Sequence, residues 1–450
     1  MITEFNIKNF KSFSKSQTLP LAPITLIYGP NSAGKSSVIQ SLMMLKQTLL
    51  EKEKDSDLVT SGEDIDLGTF ESLIHGQNPV KEMLFSIKYK NQLDAKEFQQ
   101  KYSYNMLYSN NDIRTVELAY KQFETKASLN HYKFICSDKN GEKVNYHVER
   151  GHKTSSGTTF TLKHNKSLRQ IISKRVKLSS ADGHGWNLLE DWLSEPFKIG
   201  SHLNIPSVIT DLGTPLSDYT DKVLDDIRSK FEDIKYLGPL RSSPKRFYSD
   251  AISNYQKSQG KNNLGLDIYT ASRETKEKIN ITLDNFHIPY ALSAKDVGNI
   301  NTGPLISVQL KDLRNGAVVT PRDVGFGIGQ VLPIILDAIV SKKKVICVEQ
   351  PEIHLHPKLQ AHLADLFIDS SSPQNGNQWI IETHSEALML RIQRRIREGL
   401  ISKDLISVLY VDVGQDGAQV TQISLDEEGD FTTIWPAGFF EERLDEVFGE

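Results

Sequence analysis

The sequence predicts an α/β fold: a mixed central sheet with flanking helices, whose strands are gathered from both ends of the chain, and an inserted β-rich and helical region between the two halves. Three observations predict it. An apolar run, Pro23–Tyr28, stands directly ahead of a glycine-rich turn and a helix-patterned stretch near the start of the chain. Two similar runs, Val345–Val348 and Trp379–Ile381, lie about 300 residues later with a helix-patterned segment, Lys358–Phe367, between them. Such apolar runs suit buried strands, and strands alternating with helices suit a central sheet flanked by helices.

The elements follow in order. Ile2–Ile7 alternates as a strand and Phe10–Phe13 makes a turn before the first buried run. After the glycine-rich turn, Val38, Ile39, Leu42, Leu45 and Leu49 recur at helical spacing, and the helix frays into the charged run Glu51–Asp55. From about 80 to 165, short alternating segments such as Met83–Tyr89 and Tyr132–Cys136 predict strands. The pattern then turns helical, with Leu188, Leu189, Trp192 and Leu193, then Val223, Ile227 and Phe231, ahead of Tyr236–Pro239. Gln256–Asn263 reads as a surface loop. Sustained heptads are absent, which excludes a long coiled-coil arm. The expected division is 1–80 and 301–424 as two halves of one head, 81–300 as an inserted lobe and 425–450 as a C-terminal tail domain.

Composition bounds the function classes. The 450 residues, 38% hydrophobic and 24% charged, suit an ordinary folded chain rather than a disordered one. A formal net charge of −4 gives no overall attraction to nucleic acid. Two cysteines, Cys136 and Cys347, supply neither a disulfide framework nor a thiolate metal site. No apolar stretch approaches the roughly 20 residues of a membrane span, so the expectation is a cytoplasmic protein without a membrane partner.

Four motifs carry chemistry. Gly29–Ser37 fits G-x-x-x-x-G-K-[ST] between a strand and a helix, where backbone N–H groups cradle phosphates. Lys35 then supplies a cation to the β- and γ-phosphates of ATP, and the Ser36 hydroxyl is placed to ligate Mg²⁺. The second motif, Glu349-Gln350-Pro351-Glu352-Ile353-His354-Leu355-His356-Pro357, ends an apolar strand in acids, as a Walker B element does; a carboxylate there, Glu349, holds Mg²⁺ through water. Third, Trp379–Ser385 ends a buried strand at His384, placed to bond a γ-phosphate. Fourth, Asp323–Gln330 is a glycine-rich turn opening a helix, an anion site in its own right. Arg241 and Arg246, beside Lys245 on a turn-rich segment, suit the phosphates of ATP or of a nucleic-acid backbone, or form a solvated basic turn.

In this order the motifs resemble the ABC-type ATPase heads of the SMC, RecF and OLD branch, and Ile7–Phe13 with Leu21–Asn31 looks like the opening of such heads. Narrower segments are similar to the ATPase subunits of Septu-type and PARIS-type anti-phage systems: Asp323–Pro333, Glu349–Pro357, Tyr236–Arg241 and the C-terminal Trp435–Arg443. The resemblance implies that Gly29, Asn31, Gly34, Lys35, Ser36 and Ser37 form the Walker A loop. It places Glu349 where the Walker B aspartate stands, Gly327, Gly329 and Gln330 in the signature loop, and His384 at the switch. Gln77 is the candidate for the Q-loop. Because such signature loops close on a nucleotide held by a second copy, a homodimer or higher assembly is implied.

Two departures matter. Aligning the acidic motif with the usual D-E-P puts Gln350 at the position of the catalytic base, and a carboxamide orients water but accepts no proton. Either Gln350 orients the water and turnover is slow, or Glu352 serves as the base. The signature turn has Gly327 where a serine is usual, which leaves only backbone N–H groups to meet the γ-phosphate. About 65 residues follow His384, and they lack the glutamate and D-x-D cluster of an OLD-type nuclease domain. The leading expectation is therefore an ATPase that senses or scaffolds and controls a separate effector, a nuclease or toxin. A RecF-like clamp that binds DNA directly is the alternative. An ABC transporter subunit is disfavoured by the absent LSGGQ turn.

Overall fold

The computed structural model describes residues 1–51, 58–90, 112–124, 126–138, 141–154, 157–164, 166, 215–239, 241, 245–249 and 264–435. The charged run beyond Glu51, the helical pattern around Leu188–Leu193, the loop at Gln256–Asn263 and the segment after Trp435 lie outside the described residues. The chain forms two compact units: Met1–Leu21 with Asn31–Glu232 and Val411–Val420, and Ala22–Pro30 with Asp233–Tyr410 and Thr421–Glu450.

The first unit is built on a seven-stranded antiparallel sheet. It contains β1 (Ile2–Lys8), β2 (Gln17–Pro20), β4 (Met83–Lys90), β5 (Ile113–Phe123), β6 (Lys126–Asp138), β7 (Gly141–Thr154) and β8 (Gly157–His164), in the order β2-β1-β4-β5-β6-β7-β8. Alternation in the sequence becomes one buried face: Phe5, Ile87, Val116, Phe134 and Tyr146 are register partners across five strands, and all are buried. Helices α1 (Lys35–Leu50), α2 (Phe70–Leu73) and α3 (Pro215–Glu232) belong to this unit. On α3, Val223, Leu224, Ile227 and Phe231 bury one stripe, and Arg228 Nε donates to the Leu49 carbonyl at 3.3 Å, tying α3 to the end of α1.

The second unit holds the sheet of buried strands that the apolar runs predict. β3 (Ile24–Tyr28), β14 (Val345–Glu349) and β15 (Gln378–Glu382) are buried at every position. With β9 (Ile234–Leu237), β16 (Ile406–Gly414) and β17 (Gly417–Ile423) they make a six-stranded sheet in the order β17-β16-β3-β15-β14-β9. Each pairing from β16 to β9 is parallel, so five strands end on the same side. β3 from the start of the chain lies between β15 and β16 from its end, as the mixed-sheet reading expects. Strands β10 (Phe247–Tyr248), β11 (Tyr290–Asp296), β12 (Ile306–Asp312) and β13 (Val318–Val319) form a small antiparallel sheet. Around these pack α4 (Leu264–Thr270), α5 (Arg273–Asn285), α6 (Phe326–Val340), α7 (Pro357–Ser370) and α8 (Glu386–Arg397). The fold is thus mixed α/β, and the longest helix among the described residues, α3, has only 18 residues. No helix among the described residues is long and apolar enough to cross a membrane.

Candidate nucleotide site

The glycine-rich turn leaves β3 through three left-handed positions, Gly29 (φ 142°), Ser32 (φ 64°) and Gly34 (φ 110°). At Gly34 a side chain is sterically barred, because a Cβ there would run into Ser12 Oγ. Gly34 caps α1 without any side-chain acceptor, and no acid stands in the first turn, so the helix dipole favours an anion there. Lys35 and Ser37 are buried, Ser36 is half-buried and Asn31 is exposed. Gln77 lies in the first unit, at φ 54° on an exposed turn whose N–H donates to the Ile74 carbonyl.

The other candidates gather where the parallel strands of the second unit end. In the register, Glu349 closing β14 is the partner of Glu382 closing β15, and Glu382 is the partner of Ile27, two residues before Gly29. The ladder continues one step beyond the strands: Gln350 N–H donates to the Glu382 carbonyl at 2.7 Å and Thr383 N–H to the Ile27 carbonyl at 3.1 Å. Tyr28 Oη donates to the Ser385 carbonyl at 3.0 Å, fixing the root of the glycine-rich turn to the end of β15. Ligands of open α/β sheets bind at such carboxyl ends.

The acids there are held in defined poses. Glu349 is buried, and its Oε1 accepts from Tyr236 Oη of β9 at 3.0 Å. Glu352 bridges two elements: it accepts from the His384 backbone N–H at 2.7 Å and from Thr383 Oγ1 at 2.8 Å. Burial pushes the Glu352 carboxyl above its ordinary range, against the pull of those hydrogen bonds. Gln350 stands at φ 45°, a left-handed corner that lets the chain turn away from the sheet. The helix after this corner starts cleanly, with Pro357 in its first turn and the His356 ring accepting from the Lys358 N–H at 3.3 Å.

The glycine-rich signature candidate takes a form the sequence pattern does not give. Phe326 through Gln330 make up the first turns of α6 rather than a loop ahead of it, with Gly325 as an exposed N-cap lacking a side-chain acceptor. A Cβ on Gly327 would lie 2.6 Å from the His354 carbonyl, so this glycine lets α6 pack directly on the turn after β14. Gly329 is buried. Gln330 is buried as well, and its amide bonds both backbone groups of Arg241: Arg241 N–H donates to Oε1 and Nε2 donates to the Arg241 carbonyl, each at 3.2 Å.

Arg241 and Arg246 part company. Arg246 is half-exposed and pairs with Asp323 at 2.6 Å, whereas Arg241 is 7% exposed and its Nη2 donates to the Glu349 carbonyl at 3.0 Å. Burial lowers the Arg241 guanidinium to about 10 against the opposing influence of Glu352 and Glu349, which leaves it charged at neutral pH. Sequence reading passes over Tyr236, Glu382, Thr383 and Ser12. Each lies within a recognised segment without being singled out, and only the register and the tertiary contacts reveal what it touches.

Comparison with known proteins adds the family. Among solved structures, the chain is similar to the Smc head bound to the C-winged helix domain of ScpA, at 10% identity over 95% of this chain and 98% of that one, with a TM-score of 0.43. It is similar to the SMC head domain from Thermotoga maritima, at 12% identity, 94% and 99% coverage and a TM-score of 0.40. A third is an Smc head domain with an extended coiled coil bound to the C-terminal domain of ScpA derived from Pyrococcus furiosus, at 10% identity, 100% and 98% coverage and a TM-score of 0.41. Likenesses this loose carry no assignment of residues. No curated protein matches the sequence. The family model described as AAA_15, AAA ATPase domain, matches residues 1–389, and the chain therefore belongs to that family of ATPase domains.

Proposed function

We propose that this chain is an ATP-binding, slowly ATP-hydrolysing head of the ABC type that dimerises on ATP and acts as a sensor or scaffold controlling a separate effector, a nuclease or toxin, in prokaryotic anti-phage defence. One observation carries the chemical part: the phosphate-cradling turn leaves β3 on the same side of a parallel sheet where Glu349 and Glu382 end β14 and β15 and where Glu352 and His384 follow them. The defence role rests on the four segments that resemble Septu-type and PARIS-type ATPases, and the family supports the ATPase part.

Each residue then has a task. The N–H groups of the turn and of the first turn of α1 bind the phosphates, and Lys35 balances their charge. Glu352, oriented by Thr383 and the His384 N–H, takes the proton of the attacking water, while Gln350 at the corner orients that water. His384 faces the γ-phosphate. Mg²⁺ fits the donors present, the Ser36 hydroxyl and the Glu349 carboxylate, which are the oxygen ligands such an ion takes beside water and phosphate. When bound, it neutralises phosphate charge. The uncapped start of α6 at Gly325 is the surface offered to a second copy.

Light scattering with a non-hydrolysable ATP analogue, alongside phosphate release with ATP, tests this reading. Wild type should assemble with the analogue and release phosphate slowly. Gly325→Glu, placed where an added side chain meets open space, should fold normally, bind nucleotide and fail to assemble. Assembly of Gly325→Glu at wild-type analogue concentrations would remove α6 from the dimer interface, and absence of phosphate release by wild type would remove hydrolysis.

A further inference from the structure

The sequence segment Trp435–Arg443 has no task in the ATPase chemistry, yet its first residue is held where the parallel strands of the second unit end. Tyr28 closes β3 and is the register partner of Tyr410 in the neighbouring β16. Trp435, 6% exposed, stands edge-on to both rings, with centroids 5.5 Å apart at 86° for Tyr28 and 5.8 Å apart at 89° for Tyr410. Phe431 closes a third side at 5.1 Å and 83°. Edge-to-face pairs of this geometry stabilise beyond burial alone, so the indole is firmly seated. The contacts continue past the rings. Tyr28 Oη donates to the Ser385 carbonyl at 3.0 Å, while Ser385 Oγ accepts from the Leu388 N–H at 3.1 Å, capping α8, and donates to Gln360 Oε1 of α7 at 2.8 Å. The segment that carries Trp435 is itself strapped to α8: Gln393 Nε2 donates to the Gly429 carbonyl and Arg397 Nη2 to Asp430 Oδ1, each at 2.8 Å. Tyr28 is fully buried, and in a close-packed site its ring cannot re-seat without Trp435 moving as well. The residue after Tyr28 is Gly29, the first left-handed position of the glycine-rich turn.

We infer that Trp435 is a positioning residue for the nucleotide turn, and that nucleotide bound there and the segment around Trp435 stabilise one another's arrangement, which rests on the reading of that turn as an ATP site. The indole acts through Tyr28. It holds the ring, the ring holds the exit of β3, and that exit sets the direction in which Gly29 starts the turn. Binding couplings are reciprocal, so nucleotide that fixes the turn also fixes Trp435 in its slot. The route runs within the second unit, from the strap on α8 through Trp435 to Tyr28 and along the chain to Pro30. The nucleotide state is thereby carried to the C-terminal segment at Trp435.

Tryptophan fluorescence and titration calorimetry of the full chain with Mg²⁺ and a non-hydrolysable ATP analogue test it, for wild type, Trp435→Phe and Trp435→Ala. The chain has four tryptophans, so the contribution of Trp435 is read as the difference between wild type and Trp435→Phe. Trp435→Phe keeps an aromatic ring in the slot and should bind the analogue within about twofold of wild type, yet lose most of the emission change that nucleotide induces. Trp435→Ala should bind it about fivefold to fiftyfold more weakly, the scale of coupling between linked sites. Should the alanine variant melt early, the emission change in Trp435→Phe decides by itself. An emission change equal in wild type and Trp435→Phe, no emission change in a wild type that binds, or a folded Trp435→Ala with wild-type affinity would each overturn the inference and leave Trp435 a packing residue. A wild type that binds no nucleotide would instead sink the ATP-site reading, and the coupling with it.

Discussion

Two buried arginines, one in each unit, meet different acceptors. Arg114 in β5 is fully buried, and its Nε lies 3.5 Å from Asp226 Oδ2 of α3, which also accepts from Tyr89 Oη at 2.9 Å. The charge faces a carboxylate of its own unit, and the three groups cross-link sheet and helix. Arg241 has a single backbone acceptor and two open donors. In the first unit the guanidinium faces a carboxylate across sheet and helix, and in the second it donates to a backbone carbonyl at the end of a strand.

The comparison is broken most severely at Arg114. Arg114→Ala strands Asp226 without its cation, and urea unfolding should register a loss of about 3–5 kcal/mol. A loss below about 1 kcal/mol would show that the pair contributes little and that closure is not what distinguishes the two sites. Glu352→Gln comes next. It should leave nucleotide affinity intact and lower single-turnover hydrolysis by about 10², the scale of general-base loss, trapping the ATP-bound assembly. The wild-type rate should drop as pH is lowered through the raised Glu352 value, because the proton then occupies the base, and the variant should lack that limb. For stability the sign is opposite: burial favours the protonated carboxyl, so its contribution is greatest below the unfolded-state value and is lost as pH rises through the folded one. The smallest effect belongs to Gln350→Glu, expected to raise turnover by about threefold to tenfold by setting a second carboxylate beside the water. A normal rate for Glu352→Gln together with an inert Gln350→Glu would deny both residues their tasks.

How much of this was legible in the sequence depends on whether the signal is local. The three apolar runs β3, β14 and β15 were readable because burial on both faces leaves no polar residue to confuse the pattern, and the strand, turn and helix around Lys35 carry their context with them. The alternating β4 was likewise readable, one face of it in and one out. Gly327 was read as a loop residue, yet it belongs to a helix, since an uncapped glycine at Gly325 gives no start signal of the Ser, Thr or Asp kind. Tyr236, Glu382 and the open donors of Arg241 were not readable, because their meaning comes from strands more than 100 residues apart in the chain lying side by side, as Tyr236 and Glu349 do at |i−j| of 113.

The central claim is that the turn at Gly29–Ser37 is an ATP site whose one mobile cation is Lys35. Calorimetric titration of ATP with Mg²⁺ into wild type and Lys35→Ala tests it most directly. Wild type should bind, and Lys35→Ala should lose about a hundredfold or more in affinity with its melting curve unchanged in the absence of nucleotide. Wild-type affinity retained by Lys35→Ala would contradict the account.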